Sequence, residues 1–316
     1  MTRDLPSERG GASASPRPRA ERSSRARRLG KELLPVAVLA IPAAIVVTFI
    51  VVPAITVLIH SLFAANALGD VEQFIGLGNY QALFASPTFQ LVWINTLVYT
   101  VLATGLSMAV ALVLSLLLHR RRMNLATTFS LFSPTVIPMI AAANLWLYFT
   151  IPGYGVVDRV ARFVGLGQMN WLGYPGTAVL TLVLLFTWKY APYYAFFLIA
   201  GLQAVPGHVR DAARLEDKRG FMTFRYVILP LLKPMLLFTL TLSIINAVET
   251  IDPIYVMTQG GPNNATNFLM YYLYNLGFNY FNWGQADALS VILAVVLSAF
   301  SIVYLYLLER RSFLWQ

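Results

Sequence analysis

Six long apolar stretches constrain this chain more than any other feature: about residues 33–62, 90–118, 125–150, 176–204, 230–257 and 285–308. Each is long enough to cross the roughly 30 Å hydrocarbon layer of a bilayer as a helix. Lipid offers backbone groups no hydrogen bonds, so spanning segments must satisfy their own N–H and C=O groups. Hydrophobic residues make up 58% of the sequence and charged ones only 12%, against roughly 25% charged in a soluble domain. Such a chain has too little polar surface to cover itself in water. The expectation is an all-α integral membrane protein of six transmembrane helices. Pro42, Pro53, Pro134, Pro138 and Pro192 fall inside spans and are expected to kink them rather than end them, because neighbours can re-satisfy the freed carbonyls.

The segments between the spans set the orientation. Nine of the 23 Lys and Arg lie in residues 1–33. Residues 1–32 read as a disordered basic tail, and residues 33–316 as the permeation domain. The 63–89 and 258–284 segments carry no Lys or Arg, and the 151–175 segment has only Arg159 and Arg162. By contrast 119–124 holds Arg120, Arg121 and Arg122, and 205–229 holds Arg210, Arg214, Lys218, Arg219 and Arg225. The positive-inside rule then puts both termini and these two basic loops in the cytoplasm. Leu33 to Phe63 is about twice the length of a signal-peptide apolar region, so it reads as a retained span.

Several functions are excluded. Without cysteine there is no disulfide, no Cys-ligated zinc and no thiol nucleophile. A pI of 9.8 suggests nucleic acid, but the basic groups flank apolar spans, where topology explains them. No Gly-x-x-x-x-Gly-Lys-Ser/Thr cradle is present for nucleotide phosphates. His60, His119 and His208 are scattered near span ends. No metal site or catalytic constellation stands out.

The cytoplasmic segment contains Asp211-Ala212-Ala213-Arg214-Leu215-Glu216-Asp217, then Gly220, Val227, Leu229, Pro230 and Pro234. It resembles the EAA loop of binding-protein-dependent ABC importer permeases, with Asp211 in the Glu position and Asp217 where the family has glycine. Gly76-Leu77-Gly78-Asn79-Tyr80, Pro87, Phe89, Asn95-Thr96, Trp171-Leu172, Trp188 with Pro192, and Thr258 to Thr266 with Gly260-Gly261-Pro262 extend the resemblance over about residues 35–310. In order and at these spans, they look like the carbohydrate branch of that family, with the ABC type I importer permease fold.

The resemblance implies a coupling helix within loop 205–230 that docks on an ATPase subunit, with Asp211, Ala212, Ala213, Leu215, Glu216, Asp217 and Gly220 contributing. It implies a second homologous permease, two ATP-binding subunits that use ATP, and an extracytoplasmic solute-binding protein, all at a bacterial or archaeal inner membrane. It implies no cofactor in this chain and no ATPase site. By the same resemblance Lys189, Tyr190 and Tyr193, with Ser243, Asn246, Ala247 and Thr250, lie near the transported sugar. Tyrosine rings stack on sugar faces, and Asn, Thr and Lys hydrogen-bond hydroxyls. Glu249 and Asp252 join this set because charges within or beside spans usually face a cavity or partner. Two bland alternatives stand beside it: the aromatics are core packing, and Lys189 pairs with Glu249 or snorkels. Lys189 could also face an anionic polyol such as glycerol phosphate or a sulfonated sugar. Rival classes are a stand-alone secondary transporter, which needs internal repeats and a buried ion relay, and a membrane-embedded enzyme, which needs clustered catalytic groups.

Overall fold

The computed structural model describes residues 38–119, 125–204 and 222–312. The chain divides into two units, Met1–Thr56 and Val57–Gln316. In the first, residues 38–56 are helical, part of the span α1 (Val38–His60), and every one of their side chains is exposed. An apolar helix with no buried face is at home only against lipid or another protein.

In the second unit a short hairpin, β1 (Phe63–Ala65) and β2 (Val71–Phe74), pairs antiparallel with Phe63 opposite Phe74. This strand pair lies in the 63–89 segment between the first two spans. Four further long helices or helix pairs follow the short α2 (Gly78–Ala85): α3 (Pro87–His119), the pair α4 (Leu125–Val136) and α5 (Met139–Phe149), α7 (Pro175–Gln203) and α8 (Thr223–Val248). Between them lies a short amphipathic helix α6 (Val156–Phe163). After α8 come a π turn (Ile254–Thr258), the short α9 (Leu269–Tyr274), and the last span within α10 (Trp283–Ser312). Among the described residues five helices are long and apolar enough to cross a membrane, and the bent α4/α5 pair, taken as one span, makes six.

Two spans correct the expected boundaries. The third is not a kinked helix: Pro138 caps α5 in an extended conformation, and the two halves meet at 106°. Pro134, Pro192, Pro42 and Pro53 do lie within helices, so Pro138 alone of the five ends one. The fifth span stops at Val248, well short of residue 257, and Glu249 to Ile251 leave the helix. Proline also explains two π turns. Val47–Val51 and Thr223–Ile228 each end two residues before a proline, Pro53 and Pro230. Proline has no N–H for the carbonyl four residues back and crowds it. The preceding amide instead reaches five residues back, Val52 to Val47 and Leu229 to Phe224.

The second unit packs in two cores. The larger joins α3, α5, α7 and α8 around Tyr99, Leu182, Phe186, Tyr194 and Leu198. Ala103, Ala111, Ala143, Ala191 and Ala195 let the helices approach closely. In lipid this close packing, not exclusion of water, holds helices together. The smaller joins α2, α3, α9 and α10 around Leu83, Phe89, Val92, Leu269 and Leu289.

Candidate functional site

The quoted motifs turn out to be the ties between these elements. Asn79 is buried and donates to the carbonyls of Ser61 (2.9 Å) and Phe63 (2.8 Å), anchoring the hairpin on α2. Tyr80 shares a 2.8 Å hydrogen bond with the Ser61 hydroxyl. Asn95 donates to the Asn264 carbonyl at 2.7 Å. The hydroxyl of Thr96 accepts the Leu269 amide at 2.8 Å while donating to Val92. Thr266, fully buried, donates to Gly261 and to Thr258 across the loop. The Asn-Thr pair and the Thr-to-Thr stretch therefore dock the 258–269 loop onto the N-terminal part of α3.

The residues expected near the solute come from the middle of α7, from α8 and from the segment after α8. Asn246, half-buried on α8, donates to the hydroxyl of buried Tyr194 at 3.1 Å. Tyr194 stacks on Tyr190, with ring centroids 5.9 Å apart and planes at 14°. Tyr190 in turn lies 4.7 Å from the Phe186 ring. Tyr193, half-buried, meets Phe197 edge-on at 5.1 Å. Ser243 is fully buried and faces α3, donating to Thr104 at 3.3 Å and sharing a 3.3 Å contact with Ser107. Ala247 is a core residue, and buried Thr250 donates to the Asn246 carbonyl at 2.9 Å. Glu249 is exposed and Asp252 is half-buried. The structure thus joins Tyr190 and Asn246 through Tyr194, while Ser243 and Ala247 lie in packed seams.

Lys189 takes up an arrangement that neither sequence alternative foresaw. It is buried, and its ammonium donates to the carbonyls of Pro134 (3.2 Å), Thr135 (3.5 Å) and Ile137 at the break of the third span. Thr135 returns a 3.3 Å hydrogen bond to the Lys189 carbonyl. The cause is local. The Pro134 carbonyl would take the amide of residue 138 in a continuous helix, but that residue is proline. The C-terminal end of α4 also carries partial negative charge.

Sequence reasoning missed Tyr194, although it adjoins Tyr193, and the buried Thr100, Thr104 and Ser107 that continue the line from Thr96 along α3. Its signal was the i, i+4 and i, i+3 spacing of hydroxyls within an apolar span. It also missed Asp158. That carboxylate is fully buried in the 151–174 segment, accepting the amides of Gly153 (2.8 Å) and Met169 (3.0 Å) and pairing with Arg162 at 3.3 Å. The Met169 and Gly153 amides hold it below the usual carboxylate range, against the opposing effect of burial. The coupling residues Asp211, Ala212, Ala213, Leu215, Glu216, Asp217 and Gly220 lie outside the described residues, as does the tail 1–32. Among the described residues no group of three or more His, Asp or Glu side chains is placed to hold a metal ion.

Long apolar helices, with the third span broken at Pro138 and the fifth ending early at Val248, define a class: multi-pass α-helical membrane proteins with discontinuous helices, an architecture met among transporters. Residues 102–313 match the family described as binding-protein-dependent transport system inner membrane component. The chain is 31% identical over 265 residues to the trehalose/maltose transport system permease protein of Thermococcus litoralis, covering 83% of this chain and 88% of that one. It is 31% identical over 287 residues to the sulfoquinovosyl glycerol transport system permease protein of Agrobacterium fabrum, covering 90% and 93%. Its fold matches a solved bacterial ABC transporter involved in import of the acidic polysaccharide alginate, with TM-score 0.76, 19% identity and coverage of 90% and 98%. The chain belongs to the family of binding-protein-dependent transport system inner membrane components, and is a multi-pass transport permease.

Proposed function

We propose that this chain is one permease subunit of an ATP-driven importer of a sugar or sugar-like solute. Family membership and the cargo named for its relatives support the reading. The observation that carries it is the Tyr190–Tyr194–Asn246 row beside the early end of α8. Aromatic faces with an amide next to them suit a sugar's apolar ring faces and hydroxyl rim.

A second homologous permease completes the pathway, and an extracytoplasmic solute-binding protein delivers cargo to the 63–89, 151–175 and 258–284 segments. Two partner subunits bind and hydrolyse ATP, so this chain carries no ATPase chemistry of its own. They engage loop 205–230, which lies with both termini on the cytoplasmic side. Closure of the ATPases moves that loop and opens the seam outward.

The test is uptake by proteoliposomes holding the co-purified complex, with its binding protein and a panel of labelled sugars. Uptake that requires ATP, and that stops when residues 211–217 are replaced by a Gly-Ser linker, supports both the class and the coupling role. Uptake by this chain alone without ATP overturns it in favour of a secondary transporter.

A further inference from the structure

The cargo named for the relatives includes an acidic polysaccharide as well as trehalose and maltose, so family membership leaves the charge of the solute open. An anion crossing a low-dielectric seam needs a counter-charge there, because desolvation is not otherwise offset. Lys189 is the cation at this level among the described pathway residues. Its ammonium is spent on the carbonyls of Pro134, Thr135 and Ile137, and its side chain is buried.

What remains toward the seam has the opposite sign. Glu249 is exposed at the C-terminal end of α8, the negative end of the helix dipole. Asp252 opens the helical turn that follows, and Glu249 lies three residues beyond Asn246, whose amide reaches Tyr194 beside Tyr190. Anion, neutral ring and ammonium are therefore unequal guests at the same tyrosine row.

We propose that the surface this chain lends to the pathway favours uncharged or cationic saccharides, such as neutral oligosaccharides and amino sugars, and disfavours carboxylated, sulfonated or phosphorylated ones. The inference rests on the permease reading above. Lys189 is a positioning residue of the broken span, and Glu249 and Asp252 set the sign of the field.

The natural chain has no cysteine, so one introduced thiol reports local potential without a substrate. Tyr190→Cys, in the assembled complex, is titrated with neutral hydroxyethyl, cationic trimethylammonium-ethyl and anionic sulfonatoethyl methanethiosulfonates. Each rate is divided by that reagent's rate with free mercaptoethanol. The expected result is a normalised preference of about 10-fold or more for the cation over the anion. Glu249→Gln with Asp252→Asn should reduce it toward one. Equal rates, or faster reaction of the anion, overturn the proposal, as does failure of the neutral reagent to reach the thiol. Tyr193→Cys repeats the measurement if Tyr190→Cys does not assemble. ATP-dependent uptake, measured separately, decides the permease reading whichever sign the thiol reports.

Discussion

The ammonium of Lys189 sits 3.2 Å from the carbonyl oxygen of Pro134, the oxygen that Pro138 cannot serve. One span therefore supplies the donor that the other span's sequence removed. Lys189→Met leaves buried carbonyls unpaired, at about 1–3 kcal/mol each. The expected outcome is a clear fall in the melting temperature of the purified protein. The control is Pro138→Ala, which restores an amide within reach of Pro134. In that background Lys189→Met should cost distinctly less. Additive costs in the double variant would show that the break and the lysine are energetically unrelated.

The Asn246–Tyr194 hydrogen bond joins α8 to α7 within the tyrosine row. Tyr194→Phe keeps the ring stack on Tyr190 and removes only the acceptor. A stability cycle over Asn246→Ala and Tyr194→Phe should return a coupling of about 0.5–1.5 kcal/mol. Uptake should fall more with Asn246→Ala than with Tyr194→Phe, because the amide is also half-exposed to the seam. A coupling indistinguishable from zero removes this bond from the account of the site.

The six spans were legible because length and apolarity survive any tertiary context. Their irregularities were not. Pro138 reads the same as Pro192 in sequence, yet one ends a helix and the other sits inside one. Proline reports a missing amide, and only the neighbouring structure decides how the freed carbonyl is satisfied. For that reason the partner of Lys189, more than fifty residues away, could not be read from its own surroundings. Tyr190 and Asn246 were singled out because the resemblance named them, and the structure joins both to Tyr194. Thr104 and Ser107 were overlooked because hydroxyls in an apolar helix can bond to their own backbone, so their presence names no partner. Asp158 carries no signature at all, since two of its three partners are main-chain amides.

Asp158 makes the stability of the 151–174 segment depend on acid in a defined direction. Its pKa is lower in the folded loop than in an open chain. Its contribution is therefore complete above the ordinary carboxylate range and is lost as pH falls through that lower folded value. Hydrogen exchange at the Gly153 and Met169 amides should stay protected through mildly acidic pH and open only below the usual carboxylate range. Asp158→Asn should remove this acid step and expose the two amides already at neutral pH. Protection unchanged in Asp158→Asn would mean that the loop is held by other contacts.

Gly201 lies where α7 packs tightly on α8, near the end of the span that leads into loop 205–230. A Cβ at this position lies 2.8 Å from Cδ1 of Leu232 and 3.0 Å from Cβ of Met235. Leu232 is fully buried, so its methyl cannot swing aside freely, and the Met235 atom is fixed by its backbone. Gly201→Val should therefore overpack the crossing and cost about 1–3 kcal/mol. Leu232→Ala opens a cavity and is destabilising alone, by about 2–5 kcal/mol. Combined with Gly201→Val it makes room for the added side chain, so the double variant should be more stable than the sum of the single effects. Melting temperatures of the four proteins, with ATP-dependent uptake on the same preparations, test this. Recovery of both places the helix crossing on the route from loop 205–230 to the tyrosine row. Recovery of stability without uptake confines Gly201 to packing.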